Sequence, residues 1–152
     1  MTQPTIFLAS DHRGFALKGQ FVTWLGEHGY PLVDLGPGNE DRCDAMDFAV
    51  KMAAELKKNP EGKGVLICGS GQAMAMTANR FPHLRAALCT NSTMARLARE
   101  HNDANVLALG AHITGLEVAL ECLQVFLTTK FLGGRYTERR DRFAALDINS
   151  CA

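Results

Sequence analysis

The chain has 152 residues, 47% of them apolar, which suffices to bury one core and argues for a single domain over residues 1–152. Sixteen lysines and arginines balance sixteen aspartates and glutamates, so no net field holds a polyanion and no block of like charge marks a binding tail; neither nucleic acid nor a membrane surface is expected as a partner. Met1-Thr2-Gln3-Pro4 leads into an apolar run without a basic segment or a leader-like core, and no apolar stretch is long enough to span a bilayer, so a cytoplasmic protein is expected.

Apolar, strand-like runs alternate with stretches of helical period from one end of the chain to the other. Thr5 to Ala9 reads as the first strand, and Phe15, Leu17, Phe21, Trp24 and Leu25 then fall on one helix face, closed by His28-Gly29. Pro31 to Leu35 is a short second strand, followed by a Gly-Pro-Gly loop and a helix from about Asp44 to Lys58. Lys63 to Ile67 is the third strand, with a helix from about Gly71 to Arg80; Arg85 to Leu88 is the fourth, with a helix over Ser92 to Glu100. Asn105 to Leu109 is the fifth, Gly115 to Phe131 is apolar and helical, and Gly133-Gly134 separates it from a charged C-terminal helix from Tyr136 to about Leu146.

Short apolar strands, each followed by a helix, imply an α/β fold: a doubly wound, five-stranded parallel sheet of the Rossmann or flavodoxin-like kind with helices on both faces. In the strand order 2-1-3-4-5 the chain reverses direction between strands one and three, and ligands bind beyond the carboxyl ends there. Asp11-His12 and Cys68-Gly69-Ser70-Gly71 leave those two strands.

The second of these junctions places a thiol where a strand turns into a helix. Unpaired amides and the helix dipole stabilise a thiolate at such a position, making it usable as a base or nucleophile. Gly69 and Gly71 let backbone approach a ligand, their amides can face a developing oxyanion, and Ser70 adds a hydroxyl. A small buried cysteine ahead of a turn is the competing description. Asp11 serves equally well as a helix cap, and His12 can bond a phosphate or move a proton. His101-Asn102-Asp103 ends a helix, where a histidine also complements the dipole. Arg135 and Arg139, four apart, can clamp a phosphate, or belong to a solvated face with Glu138 and Asp141. The five cysteines, at 43, 68, 89, 122 and 151, form no Cys-x-x-Cys pair and have no zinc-spaced histidine, so they read as separate thiols with no metal site.

Ser10-Asp11-His12 with Gly14 and Leu17-Lys18, Leu66-Ile67-Cys68-Gly69-Ser70-Gly71, Ala78-Asn79-Arg80-Phe81, His101-Asn102-Asp103-Ala104-Asn105-Val106-Leu107 and Gly133-Gly134-Arg135 with Arg139 occur in this order over nearly the whole chain. Together they resemble the ribose-5-phosphate isomerase B family, which includes the galactose-6-phosphate isomerase subunits. The resemblance implies reversible aldose–ketose isomerisation of ribose 5-phosphate and ribulose 5-phosphate through a cis-enediolate, without metal or cofactor. It makes Cys68 the base that moves a proton between C1 and C2, with Ser70 and the amides of Gly69, Ser70, Gly71, Gln72 and Ala73 holding the charged oxygens. It makes His101 the residue that opens the furanose ring and Asn102 a substrate contact. Asp11 and His12 match sugar and phosphate contacts, and Arg135 and Arg139 the phosphate clamp.

Three positions depart from that pattern: Ala73 stands for a second loop glycine, Ala45-Met46 for a tyrosine–proline pair, and His112 for a phosphate-binding arginine. Ala45-Met46 leaves room for another pentose or hexose phosphate, and the three departures together leave open a non-catalytic, flavodoxin-like module binding a sugar phosphate or nucleotide. His101 and Asn102 precede strand five and Cys68 follows strand three, which puts them at opposite sheet edges. A homodimer with shared active sites is therefore expected, with further pairing of dimers open.

Overall fold

The computed structural model describes residues 3–146. Five parallel strands, β1 (Ile6–Ser10), β2 (Leu32–Asp34), β3 (Lys63–Cys68), β4 (Ala86–Leu88) and β5 (Val106–Gly110), form one sheet. Helices α1 (Phe15–Glu27), α2 (Ala45–Lys58), α3 (Gln72–Ala78), α4 (Ser92–Asn102) and α5 (Leu116–Thr128) follow the strands in turn, and α6 (Arg135–Ala145) closes the described chain. Among the described residues no helix is long and apolar enough to cross a membrane. Helix α5 stops short of the expected Phe131: backbone at Thr129 turns extended, and the chain returns so that Leu132 N donates to Glu100 O at 3.1 Å.

The strand order is β2-β1-β3-β5-β4, which corrects the expected 2-1-3-4-5 by exchanging the last two strands. The physical reason lies in the two sequences. An interior strand must be apolar on both faces; all five residues of β5 are buried, whereas the Ala-Ala-Leu of β4 is three residues long and only half-buried. Such a short strand belongs at an edge. There Asn79 closes it: its amide Nδ2 donates to Ala86 O at 2.9 Å and its Oδ1 accepts from Ala86 N at 2.8 Å.

Right-handed crossovers then dictate where each helix lies. The moves from β1 to β2 and from β4 back to β5 put α1 and α4 on one face, and those from β2 to β3 and β3 to β4 put α2 and α3 on the other. The core divides accordingly. Ile6, Leu8, Val65, Ile67, Leu107 and Leu109 pack with Leu17, Phe21, Ala95, Leu123 and Phe126. Phe7, Ala9, Leu66, Cys68 and Val106 pack with Phe48, Met52, Met74 and Ala78. Since α5 also lies on the α1 face, the helices after β1 and β5 leave on one side and the helix after β3 on the other. Strand β3 is therefore flanked by two reversal points, not one, and its carboxyl end faces both crevices.

Candidate active site

Cys68 ends β3 with its side chain on the α2–α3 face, 4% exposed. Its Sγ accepts a hydrogen bond from Gly71 N at 3.1 Å, which fixes the sulfur over the turn. The turn is pinned from behind, because Ala111 N donates to Cys68 O at 2.8 Å and His112 N to Gly69 O at 3.0 Å. Gly71 has φ +78°, and a Cβ there would lie 2.9 Å from Leu109 C and 2.5 Å from Leu88 Cδ1. A Cβ on Gly110 would meet Ser70 O at 2.7 Å, so the turn and the end of β5 touch through bare backbone. Ser70, Gln72 and Ala73 are exposed, and the first amides of α3 have no carbonyl partner within the helix. Ser70 Oγ accepts weakly from Gln72 N at 3.4 Å. Of the amides expected to hold substrate oxygens, that of Gly71 is already taken by the sulfur.

The residues after β1 meet this turn directly. Asp11 N donates to Ile67 O at 3.0 Å, while Asp11 Oδ1 accepts from Arg13 N at 2.9 Å and Gly14 N at 3.0 Å. The carboxylate thus organises the turn that precedes α1, whereas the helix itself is capped by Gly14 with no side-chain bond, so Asp11 is not its cap. His12 Nδ1 accepts from Cys43 N at 3.3 Å, which ties His12 to the loop before α2, where Ala45 and Met46 begin the helix. Buried Lys18 holds that loop, donating to Asp34 Oδ1 at 2.7 Å and Pro37 O at 2.8 Å. Asp11, His12, Cys68, Gly69, Ser70, Gly71, Gln72, Ala73 and His112 are therefore brought to one edge of the sheet.

His101, Asn102, Arg135 and Arg139 are gathered at the opposite edge. His101 and Asn102 are the last residues of α4, ahead of the residue that starts β5. Val106 and Gly110 are four steps apart, so the paired part of the sheet alone separates the edges by about 13 Å at roughly 3.3 Å per residue. The His101 ring stacks on Tyr136 with centroids 4.4 Å apart. Asp103, at φ 47°, gathers three arginines: Arg99 Nη1 at 2.8 Å, Arg85 Nη2 at 3.4 Å and Arg140 Nη1 at 3.7 Å. Burial pushes the Lys63 ammonium and the Arg85 guanidinium nearby below their ordinary values. Asp141 pairs with Arg140 at 2.8 Å, and among the described residues neither Arg135 nor Arg139 has a carboxylate partner. A cleft of about 540 Å³ opens at this edge, lined by Arg85, Asn102, Phe143 and Leu146 among others.

Cys43 lies half-buried in the loop before α2, and Cys89 and Cys122 are buried in the core on the α1 face. Burial, then the neighbouring Cys122, pushes Cys89 up to about 12, and burial, then Glu121, pushes Cys122 up to about 11. Both are inert core thiols. Cys151 lies outside the described residues.

Residues 6–143 match the model of the family described as Ribose/Galactose Isomerase. The chain belongs to that family. It is an isomerase by this membership. Ribose-5-phosphate isomerase B of Escherichia coli is 35% identical over 93% of this chain and 95% of its own. The Clostridium thermocellum ribose-5-phosphate isomerase B structure is 40% identical with a TM-score of 0.90, covering 93% of this chain and 95% of that one. The Mycoplasma genitalium enzyme, solved with bound ribulose-5-phosphate, is 36% identical with a TM-score of 0.91, covering 95% and 97%.

Two residues that touch the expected site residues escaped sequence reasoning. Arg13 lies over the turn, its Cδ 3.0 Å and Nη1 3.8 Å from where a Cβ on Gly69 would be, which adds a permanent cation to the Cys68 edge. Its position directly after Asp11-His12 was the available signal. Tyr136, between His101 and the two arginines, had no signal of its own, since stacking on a residue 35 positions away is set by the fold.

Proposed function

We propose that the chain interconverts ribose 5-phosphate and ribulose 5-phosphate in the cytoplasm, as a homodimer in which each active site takes Cys68 from one copy and His101, Asn102, Arg135 and Arg139 from the other. The observation that carries this reading is the hydrogen bond from Gly71 N to Cys68 Sγ, because it holds the sulfur of the proposed base in one place at the mouth of the turn, beside the first amides of α3. The two-copy site is supported by the placement of the two residue groups at opposite edges of one sheet. A two-fold interface repeats any such pairing, giving two sites per dimer. Helices α2 and α3 also leave Met46, Val50 and Met76 exposed, apolar surface suited to burial against a second copy.

In the proposed reaction His101 takes the proton of the C1 hydroxyl of the furanose and returns it to the ring oxygen as the C1–O4 bond breaks. The Cys68 thiolate then removes the C2 proton of the open aldose, and the electron pair moves through C1 to O1, forming the enediolate. Ser70 and the free amides at the start of α3 receive the negative charge. Proton return to C1 and transfer between the two oxygens complete the ketose, with no atom or electron gained or lost. Arg135 and Arg139 hold the 5-phosphate, assisted from the Cys68 side by His12, Arg13 and His112.

The test is a coupled assay across pentose and hexose phosphates in deuterated buffer. Fastest turnover on ribose 5-phosphate, with deuterium entering C2, is the expected result. Fastest turnover on a hexose phosphate would move the assignment to the wider pocket that Ala45 and Met46 permit, and binding without exchange would leave a non-catalytic module. Full activity from a monomer in dilute solution would refute the shared site.

A further inference from the structure

Tyr136, the second residue of α6, has no part in the reaction above, yet it touches three groups that do. Its ring lies 14° from parallel to the His101 imidazole at a centroid separation of 4.4 Å. The guanidinium carbon of Arg135 stands 4.9 Å from the ring centroid and that of Arg139 5.5 Å, while the tyrosine hydroxyl accepts from Arg135 Nη2 at 2.8 Å. Two arginines and an ionisable imidazole repel one another when charged, and no carboxylate among the described residues pairs with either arginine. An aromatic face attracts guanidinium groups without neutralising them, so their charge stays available to an incoming dianion. The stack also restrains the imidazole plane, hence the direction in which its nitrogens point.

We propose that Tyr136 is a positioning residue: it holds the His101 ring and the Arg135 and Arg139 guanidinium groups as one preorganised surface, coupling phosphate binding to ring opening. The proposal rests on the roles given above to His101 and the two arginines. It separates two kinds of effect. Loss of the stack misplaces the ring-opening histidine and slows turnover; loss of the hydroxyl contact frees Arg135 alone and weakens binding.

Tyr136→Leu removes every contact, whereas Tyr136→Phe keeps the stack and the cation–aromatic contacts and removes only the hydroxyl. For Tyr136→Leu we expect kcat on ribose 5-phosphate to fall about tenfold or more and KM to rise about threefold to tenfold. Tyr136→Phe restores kcat to within about twofold and leaves KM raised by about threefold. Ribulose 5-phosphate is open-chain, so deuterium exchange at its C1 needs no ring opening; at saturation it stays within about threefold of wild type in both variants. Tyr136→Leu with kcat and KM both within about twofold of wild type overturns the proposal, as does an equal fall in turnover and exchange, the mark of a general structural role. Should Tyr136→Leu not fold, Tyr136→Gln, helix-compatible and polar at this half-buried position, carries the same expectations. His101→Asn separates the two layers of the reading: undiminished turnover in it overturns the role of His101, while its inactivity beside an unaffected Tyr136→Leu overturns only the positioning.

Discussion

At the carboxyl edge of the sheet the site is made of backbone: a sulfur held by one amide, a turn bonded to the end of β5, and glycines so close to their neighbours that a single methyl has nowhere to go. At the amino edge it is made of long side chains, with three arginines around Asp103 and two more around Tyr136. The contrast matches the two tasks assigned to them. Proton transfer needs a base and donors fixed within fractions of an ångström, which bare backbone at a strand end supplies. Phosphate binding and ring opening need charge and reach, which flexible side chains supply once something organises them.

The contrast is breakable by substitution, the largest effect first. Cys68→Ala should lower both turnover and C2 deuterium exchange by a factor on the order of 10³ while the protein still folds, read by isotope exchange and circular dichroism. Retained exchange would remove Cys68 as the base. Gly71→Ala should cost about 2–4 kcal/mol of stability, because φ +78° and a contact 2.9 Å from Leu109 C penalise any side chain, as measured by denaturant unfolding. A loss below about 0.5 kcal/mol would mean that the turn is not locked as described.

At the other edge Asp103→Asn keeps a residue that tolerates the left-handed backbone but removes the charge shared by Arg85, Arg99 and Arg140. It should cost about 1–2 kcal/mol of stability and raise KM severalfold with kcat little changed, since α6 carries the arginines proposed to hold the phosphate. A fall in kcat with unchanged KM would contradict that division between the edges. The smallest effect is alkaline. Unfolded thiols ionise near 9.0, whereas native Cys89 and Cys122 hold their protons to about 12 and 11. The native state therefore binds more protons above pH 9, and the stability this contributes, complete below that value, is lost as pH rises towards 11 and 12. Replacing both by alanine should flatten the decline in unfolding free energy between about pH 9 and about pH 11 without touching the Cys68 edge.

Much of the site was legible because its logic is local. Cys68-Gly69-Ser70-Gly71 after a four-residue apolar run announces a strand-to-helix turn with a thiol, and Asp11-His12 announces the neighbouring one. Whether Asp11 caps the first helix could be posed from sequence but was answered only by the structure, where its carboxylate bonds Arg13 N and Gly14 N in the turn before α1 and Gly14 takes the cap position. Likewise Arg135 and Arg139 could have belonged to a salt-bridged face; instead Asp141 pairs with Arg140, and the two arginines turn to Tyr136.

Periodicity and turn chemistry by themselves determined the element order, the parallel sheet with two covered faces, and the separation of Cys68 from His101, since these depend on residues adjacent along the chain. Tertiary structure alone decided that β5 lies inside β4, because that choice compares the burial of two strands far apart in sequence. The same comparison set β3 between two reversal points and brought His112 to the Cys68 turn through its bond to Gly69 O. The Tyr136 stack and the Asp103 cluster are of this second kind: each joins side chains from separate elements, and no local pattern encodes a meeting that only the packed sheet and helices bring about.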